Sequence, residues 1–217
     1  MLQKFIGIVI AAGLLAGCGM SVQGRIDYAA QAPRIPTVGA GQSIALGVQD
    51  VRPYVLSGES KPSYVTTTRN GLGAVAAYLT TRSEKPLAND LVDAISRALE
   101  ENGAHVTGTV LSSTQSGDKA FDALSKSGAD KVLSIAVREW RTDLYPYRDP
   151  MIYLDMSAQV FDKSGKLLGE NTVTAKGEFV KLLLGQETQY GDGGVAQTYQ
   201  DKLRELLSAP QIVAALK

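Results

Sequence analysis

The chain has 217 residues, with 22 Lys and Arg against 22 Asp and Glu and a formal net charge of zero. No run of basic residues interleaves with aromatics, so composition argues against a nucleic-acid partner. At 44% hydrophobic and 20% charged residues this is ordinary globular material, long enough for one domain with or without a tether.

Met1 to Lys4 carries a positive charge, Phe5 to Leu15 is an apolar run broken only by glycines, and Leu15, Ala16, Gly17 and Cys18 follow at once. This order reads as a secretory signal. The run is shorter than the roughly 20 residues a membrane-spanning helix needs. Cys18 is the one cysteine in the chain. Leu15-Ala16-Gly17-Cys18 resembles the bacterial lipobox. The resemblance implies a diacylglycerol joined to the Cys18 sulfur as a thioether, cleavage before Cys18, and acylation of the new amine by a fatty acid such as palmitate. It also implies the lipoprotein processing and sorting machinery and the membrane itself as partners. Residues 1–17 are then the signal peptide, 18–42 the lipidated N-terminus with a flexible tether, and 43–217 a single α+β periplasmic domain. Secretion places the chain in an oxidising compartment, yet with Cys18 on lipid no thiol remains to pair, so burial alone must hold the fold.

Gly19 to Gln42 is small, polar and punctuated by Pro33 and Pro36, which reads as the tether. Ser43 to Val51 alternates Ile44, Leu46 and Val48, a half-buried strand. Tyr64 to Arg69, the turn pair Asn70-Gly71 and Val75 to Thr81 read as a hairpin. Pro86 opens an amphipathic helix with Leu87, Leu91, Ile95 and Leu99 at i+4 spacing, stopped by Asn102 and Gly103. His105 to Leu111 reads as a strand. Ser116 or Asp118 can cap a short helix carrying Phe121 and Leu124 and stopped by Gly128.

Val132 to Val137 is almost continuously apolar, the mark of a central strand, which is expected to leave the sheet at Arg138. Ile152 to Val160 alternates strictly, Asp162 to Gly165 makes a turn, and Lys166 to Phe179 returns with Leu167, Val173, Ala175 and Phe179 inward. Gly191 to Gly194 breaks the chain before a helix that Asp192 can cap, with Val195, Tyr199, Leu203, Leu206 and Leu207 on one side. Pro210 ends it ahead of a short terminal turn or helix. The expected fold is α+β, an antiparallel or mixed sheet with two main amphipathic helices on one face.

Several of these features together resemble the YajG-type family of bacterial lipoproteins. They are Cys18, the Thr-rich hairpin before Ser83, the Leu87 to Gly103 helix, the Val132 to Glu139 strand, the Ile152 to Gly165 hairpin with its return, and the helix around Leu203 to Leu207. The resemblance implies a small envelope protein without an assigned activity. A looser likeness runs to auxiliary lipoproteins of envelope lipid transporters. Enterobacterial sorting retains lipoproteins at the inner membrane through an Asp after the lipidated Cys. Gly19 and Met20 stand here instead, which implies the outer membrane, on its periplasmic face.

His105 is the one histidine, so neither a His-based nor a Cys-based metal cluster is available, and no cofactor beyond the lipid on Cys18 is expected. Ser116-x-x-Lys119 spells part of a serine acyl-enzyme pattern, but the S-D-N element is missing and Ser116 reads as a helix cap. Glu139, Asp143, Asp149 and Asp155 collect near one loop, where a hydrolase would need them held across a cleft. Arg138, Trp140, Arg141, Tyr145, Tyr147, Arg148 and Tyr153 gather at the same loop as a candidate interaction surface for a protein partner or lipid headgroups, with core packing the competing reading for its aromatics. The expected role is non-catalytic, a binding or assembly component of the envelope. A lipid carrier with a cavity between the Leu87 helix and the sheet is the alternative, and a periplasmic hydrolase the weaker one.

Overall fold

The computed structural model describes residues 25–35, 41–115, 118–146, 148–180 and 194–217. A seven-stranded mixed sheet carries the fold. β1 (Ser43–Asp50) is buried from Ile44 to Gln49, not half-buried as its alternation suggested, because Ile44, Leu46 and Val48 pack in the main core while Ala45 packs in a second cluster on the other face. A short helix, α1 (Pro53–Leu56), leads to the expected hairpin of β2 (Tyr64–Arg69) and β3 (Val75–Thr80). After α2 (Leu87–Glu100) come β4 (His105–Leu111) and α3 (Asp118–Ser125). The long strands β5 (Lys131–Tyr145), β6 (Arg148–Asp162) and β7 (Leu167–Phe179) form an antiparallel meander. Helices α4 (Gly194–Leu207) and α5 (Pro210–Ala215) close the chain.

Two strands share one edge of β5 end to end. β1 runs parallel to residues Lys131 to Val137, with β4 outside it. β2 runs parallel to Thr142 to Leu144, with β3 outside it. Between them the ladder is interrupted, and Arg52 fills the gap. Its guanidinium is fully buried. It donates to the backbone carbonyls of Tyr64, Trp140 and Pro62 and to both carboxylate oxygens of Asp50 at 2.8 and 2.7 Å. Burial works against the charge, and the hydrogen bonds and attraction of Asp50 outweigh it, holding the Arg52 pKa above its ordinary value. Carbonyls that would otherwise be orphaned at a strand junction thus find donors.

β5 does not leave the sheet at Arg138 but continues to Tyr145. Its register against β6 skips from Val137 to Glu139, so Arg138 is a β-bulge residue. One extra residue reverses which positions point inward. Leu133, Ile135 and Val137 face the helices before it, and Trp140 joins the same core after it. The same device corrects the expected pattern of β7. Register shifts at Val160/Phe161 and Ile152/Tyr153 flank its central stretch, where Val173 and Ala175 are buried as expected. Beyond the shifts Leu167 is 43% and Phe179 58% exposed, so neither points inward.

The main core lies between the sheet and α2, α4 and α5, all on one face. α2 buries Leu87, Leu91, Ile95 and Leu99, and α4 buries Val195, Tyr199, Leu203, Leu206 and Leu207. On the opposite face α3 covers a smaller cluster of Ala45, Leu111, Leu124, Val132 and Phe161. Residues 25–35, expected within the flexible tether, are instead part of the domain. Ile26 is 3% and Tyr28 1% exposed, Arg82 N donates to the Ile26 carbonyl, and Gln200 Nε2 donates to the Ala32 carbonyl. Apolar side chains spaced without a period gave no helix or strand signal, yet their burial is what fixes the segment.

Candidate interaction surface

Trp140 belongs to the core and not to the surface. The bulge at Arg138 turns it inward, where it is 0% exposed, stacks on Tyr199 at 4.4 Å and meets Tyr28 edge-on at 5.2 Å. Tyr28 also meets Tyr199 edge-on. Burial pushes both phenols well above their ordinary pKa range, so they stay neutral. The Tyr199 and Thr142 hydroxyls are hydrogen-bonded at 3.0 Å.

The other described residues of the expected surface lie on the outer face or at the strand ends. Past the bulge, Arg141 sits opposite Tyr153, and Tyr153 opposite Lys176 on β7. The Arg141 guanidinium lies over the Tyr153 ring, 4.2 Å from its centroid. At the strand ends Arg148 lies 3.6 Å and Arg69 5.7 Å from the Tyr145 centroid. Such cation–π pairs hold a guanidinium flat while leaving one of its faces to a partner. Arg69 donates through Nε and Nη2 to Asp143 Oδ2. Arg141 Nε is 3.6 Å from Asp143 Oδ1, within ion-pair range but too long for a hydrogen bond. One buried carboxylate therefore orients two arginines. Arg138 is held by Asp155 Oδ1 and Ser157 Oγ.

The parallel pairing of β2 with β5 brings two hairpin tips together around a cleft of about 270 Å³, lined by Asn70, Gly71, Leu72, Gly73, Tyr145, Pro146 and Arg148. Asn70 Oδ1 accepts from Leu72 N and Ala74 N, and Gly73 takes φ 81°, a left-handed conformation suited to glycine. The loop so closed leaves Leu72 95% exposed. A second aromatic run crosses β2. Tyr64 meets Tyr54 and Tyr78 edge to face, both at 5.6 Å, and Tyr54 Oη donates to Glu139 Oε1. Sequence reasoning missed Arg69, Tyr54 and Tyr78 as members of this surface, with Tyr64 buried between the two tyrosines. Only the alignment of β2 along β5 joins them to it, and no local pattern encodes a parallel register.

Tyr147, Cys18, Leu15, Ala16, Gly17, Ser116 and residues 191–193 lie outside the described residues. Glu139, Asp143 and Asp155 are each engaged by a tyrosine or arginine, and among the described residues no carboxylate lines the cleft. Among the described residues no three His, Cys, Asp or Glu side chains are grouped to hold a metal ion, and no helix is long and apolar enough to cross a membrane. His105 is exposed at the start of β4. The arrangement suits recognition of flat, anionic or apolar groups by stacked arginines and tyrosines.

No family model and no curated relative matches the chain. Among solved structures it is similar to a Xanthomonas campestris protein of the DUF330 family model, at 14% identity and TM-score 0.47, over 84% of this chain and 88% of that one. It is similar to the PelC dodecamer of Paraburkholderia phytofirmans at 14% identity and TM-score 0.39, over 80% and 90%. It is also similar to lipoprotein GNA1162 of Neisseria meningitidis at 13% identity and TM-score 0.32, over 76% and 99%. At these scores the likenesses carry no argument about activity or partner.

Proposed function

We propose that this is a lipid-anchored protein of the bacterial cell envelope that acts by binding and not by catalysis. Cys18, in Leu15-Ala16-Gly17-Cys18, carries the lipid, and Gly19 and Met20 favour the outer membrane, facing the periplasm. The domain holds a protein partner against its outer face. The observation that carries this reading is the cross-strand row of Arg141, Tyr153 and Lys176 beside Tyr145 and Arg148, with Arg141 and Arg148 stacked on tyrosine rings. Arginine and tyrosine are both enriched at interface hot spots, tyrosine because it buries a large area with only two side-chain torsions and arginine because its planar fork, here held against a ring, is preorganised.

The carrier alternative needs space between α2 and the sheet. There Leu87, Leu91, Ile95 and Leu99 pack in one cluster with Ile44, Leu46, Leu133 and Ile135, all 1% exposed or less. A hydrolase would draw on convergent carboxylates, and Glu139, Asp143 and Asp155 are spent on tyrosine and arginine partners.

The test is affinity purification of the full-length, C-terminally tagged protein from detergent-solubilised envelopes, comparing the natural chain with Tyr153→Ser/Lys176→Glu. The expected result is one stoichiometric protein partner that the double variant loses while its abundance and melting temperature hold. An identical partner set in both samples refutes the proposed surface. Bound lipid beyond that on Cys18, with no protein partner, supports the carrier instead.

A further inference from the structure

The β2–β3 hairpin presents an apolar edge that none of the other described elements covers. β3 is an edge strand, and Val75, Ala76, Ala77 and Tyr78 are all exposed, Tyr78 at 67% and Val75 at 44%. Leu72 at the hairpin tip is 95% exposed. Edge strands of soluble domains are usually blunted by Lys, Pro or inward-pointing charges. The stretch from Leu72 to Thr81 has none of these. Basic side chains stand at either end instead, with Arg82 and Lys85 exposed past the strand and Arg148 exposed beside the tip.

The anchored end of the chain emerges beside this hairpin. Arg82 N bonds the Ile26 carbonyl, and Arg25 pairs with Glu84, so the first described residue lies against the base of β3. Cys18 is seven residues before Arg25. Extended chain reaches at most about 3.6 Å per residue, so a lipid on Cys18 confines Arg25 to within roughly 25 Å of the bilayer. The six residues of β3 span only about 20 Å. The whole apolar edge thus lies within tether reach of the membrane.

We infer that the β2–β3 hairpin rests on the bilayer surface. Leu72, Val75 and Tyr78 enter the headgroup and upper acyl region, and Arg82 and Lys85 meet anionic headgroups. The unpaired N–H and C=O groups of β3 stay at headgroup depth, where water and phosphate satisfy them. Tyr is suited to this boundary, with an apolar ring and a polar tip. In this pose the sheet stands on its β3 edge, and the Arg141–Tyr153–Lys176 row, on strands β5 to β7, remains open to a periplasmic partner. The inference rests on acylation of Cys18.

The experiment uses the acylated full chain in phosphatidylethanolamine–phosphatidylglycerol vesicles. With Cys18 acylated, a nitroxide attaches only to a cysteine introduced by Leu72→Cys, Tyr78→Cys or, as a control on exposed β7, Lys176→Cys. The expected result is a severalfold fall in accessibility to a water-soluble nickel chelate, with a rise for oxygen, at 72 and 78 but not at 176. Equal water accessibility at all three positions overturns the inference. Dipolar broadening between labels at position 78 of two molecules also overturns it, in favour of a second copy on the edge. Mass spectrometry of the N-terminal peptide from the same sample separates the failures. An unacylated Cys18 defeats the anchored reading itself, and an acylated Cys18 with a wet hairpin defeats only the docking pose.

Discussion

Arg52 shows how one residue decides whether two strands can share an edge. Its five donors satisfy three backbone carbonyls and the Asp50 carboxylate where the β1 and β2 ladders both stop. Arg52→Met is expected to cost about 3–5 kcal/mol, the loss typical of breaking a buried ion pair from one side, and urea unfolding measures it. Asp90 makes the opposite case. It is 1% exposed, accepts from Ser83 Oγ at 2.7 Å, and leaves Oδ2 without a hydrogen-bond partner. Burial raises its pKa above the ordinary carboxylate value, against the Ser83 bond. Its charge therefore costs more in the folded state than in the unfolded chain. The penalty is absent below the unfolded pKa of about 3.9 and fully present above the raised folded one. Asp90→Asn keeps an acceptor for Ser83 and removes the charge. It is expected to be more stable than the natural chain at pH 7, with the gain shrinking toward pH 3, as denaturant melts at the two pH values would register. An equal gain at both would contradict the assignment. At this scale the sequence was least legible. Trp140 looks like a surface aromatic because it sits among arginines, and only the single extra residue at Arg138 turns it into the core.

Elements were far more legible, because period and punctuation are local. The alternation of Ile152 to Val160 and the i+4 spacing from Leu87 to Leu99 correspond to β6 and α2. Bulges at the ends of β7 spoiled the inward assignment of Leu167 and Phe179. Residues 25–35 were missed because their role is purely tertiary. Tyr28 fills the space beside Trp140 and Tyr199, and such aromatic pairs add about 0.5–1.5 kcal/mol beyond their buried area. Tyr28→Ala is expected to destabilise the domain by about 3–5 kcal/mol. It should also move the fluorescence of Trp140, the one tryptophan, to longer wavelength. Unchanged emission would mean that the segment does not seal the aromatic cluster. α5 docks on β7 because Gly169 has no side chain. A Cβ there would collide with the Gln211 carbonyl oxygen and press on Ala215. Gly169→Ala should cost about 1–3 kcal/mol, the usual range for overpacking, and should speed hydrogen exchange in Ile212 to Leu216 more than in α2.

Across the whole molecule, the mixed sheet divides the surface by chemistry. One face is buried under α2, α4 and α5, the other is partly covered by α3 and elsewhere carries stacked arginines and tyrosines, and the β3 edge is apolar. The α+β class and the grouping of the main helices were readable from element order. The convergence of Arg69 with Tyr145 was not, because it needs β2 to lie parallel to a strand more than seventy residues later. Zero net charge offers no long-range attraction to an anionic surface, so the anchored reading depends on covalent lipid to hold the domain at the membrane. The most direct test is the mass of the N-terminal peptide from protein purified out of envelopes. The account predicts a peptide that begins at Cys18 and carries a thioether-linked diacylglycerol with an N-acyl chain. A chain cleaved elsewhere, or a Cys18 without lipid, would contradict it.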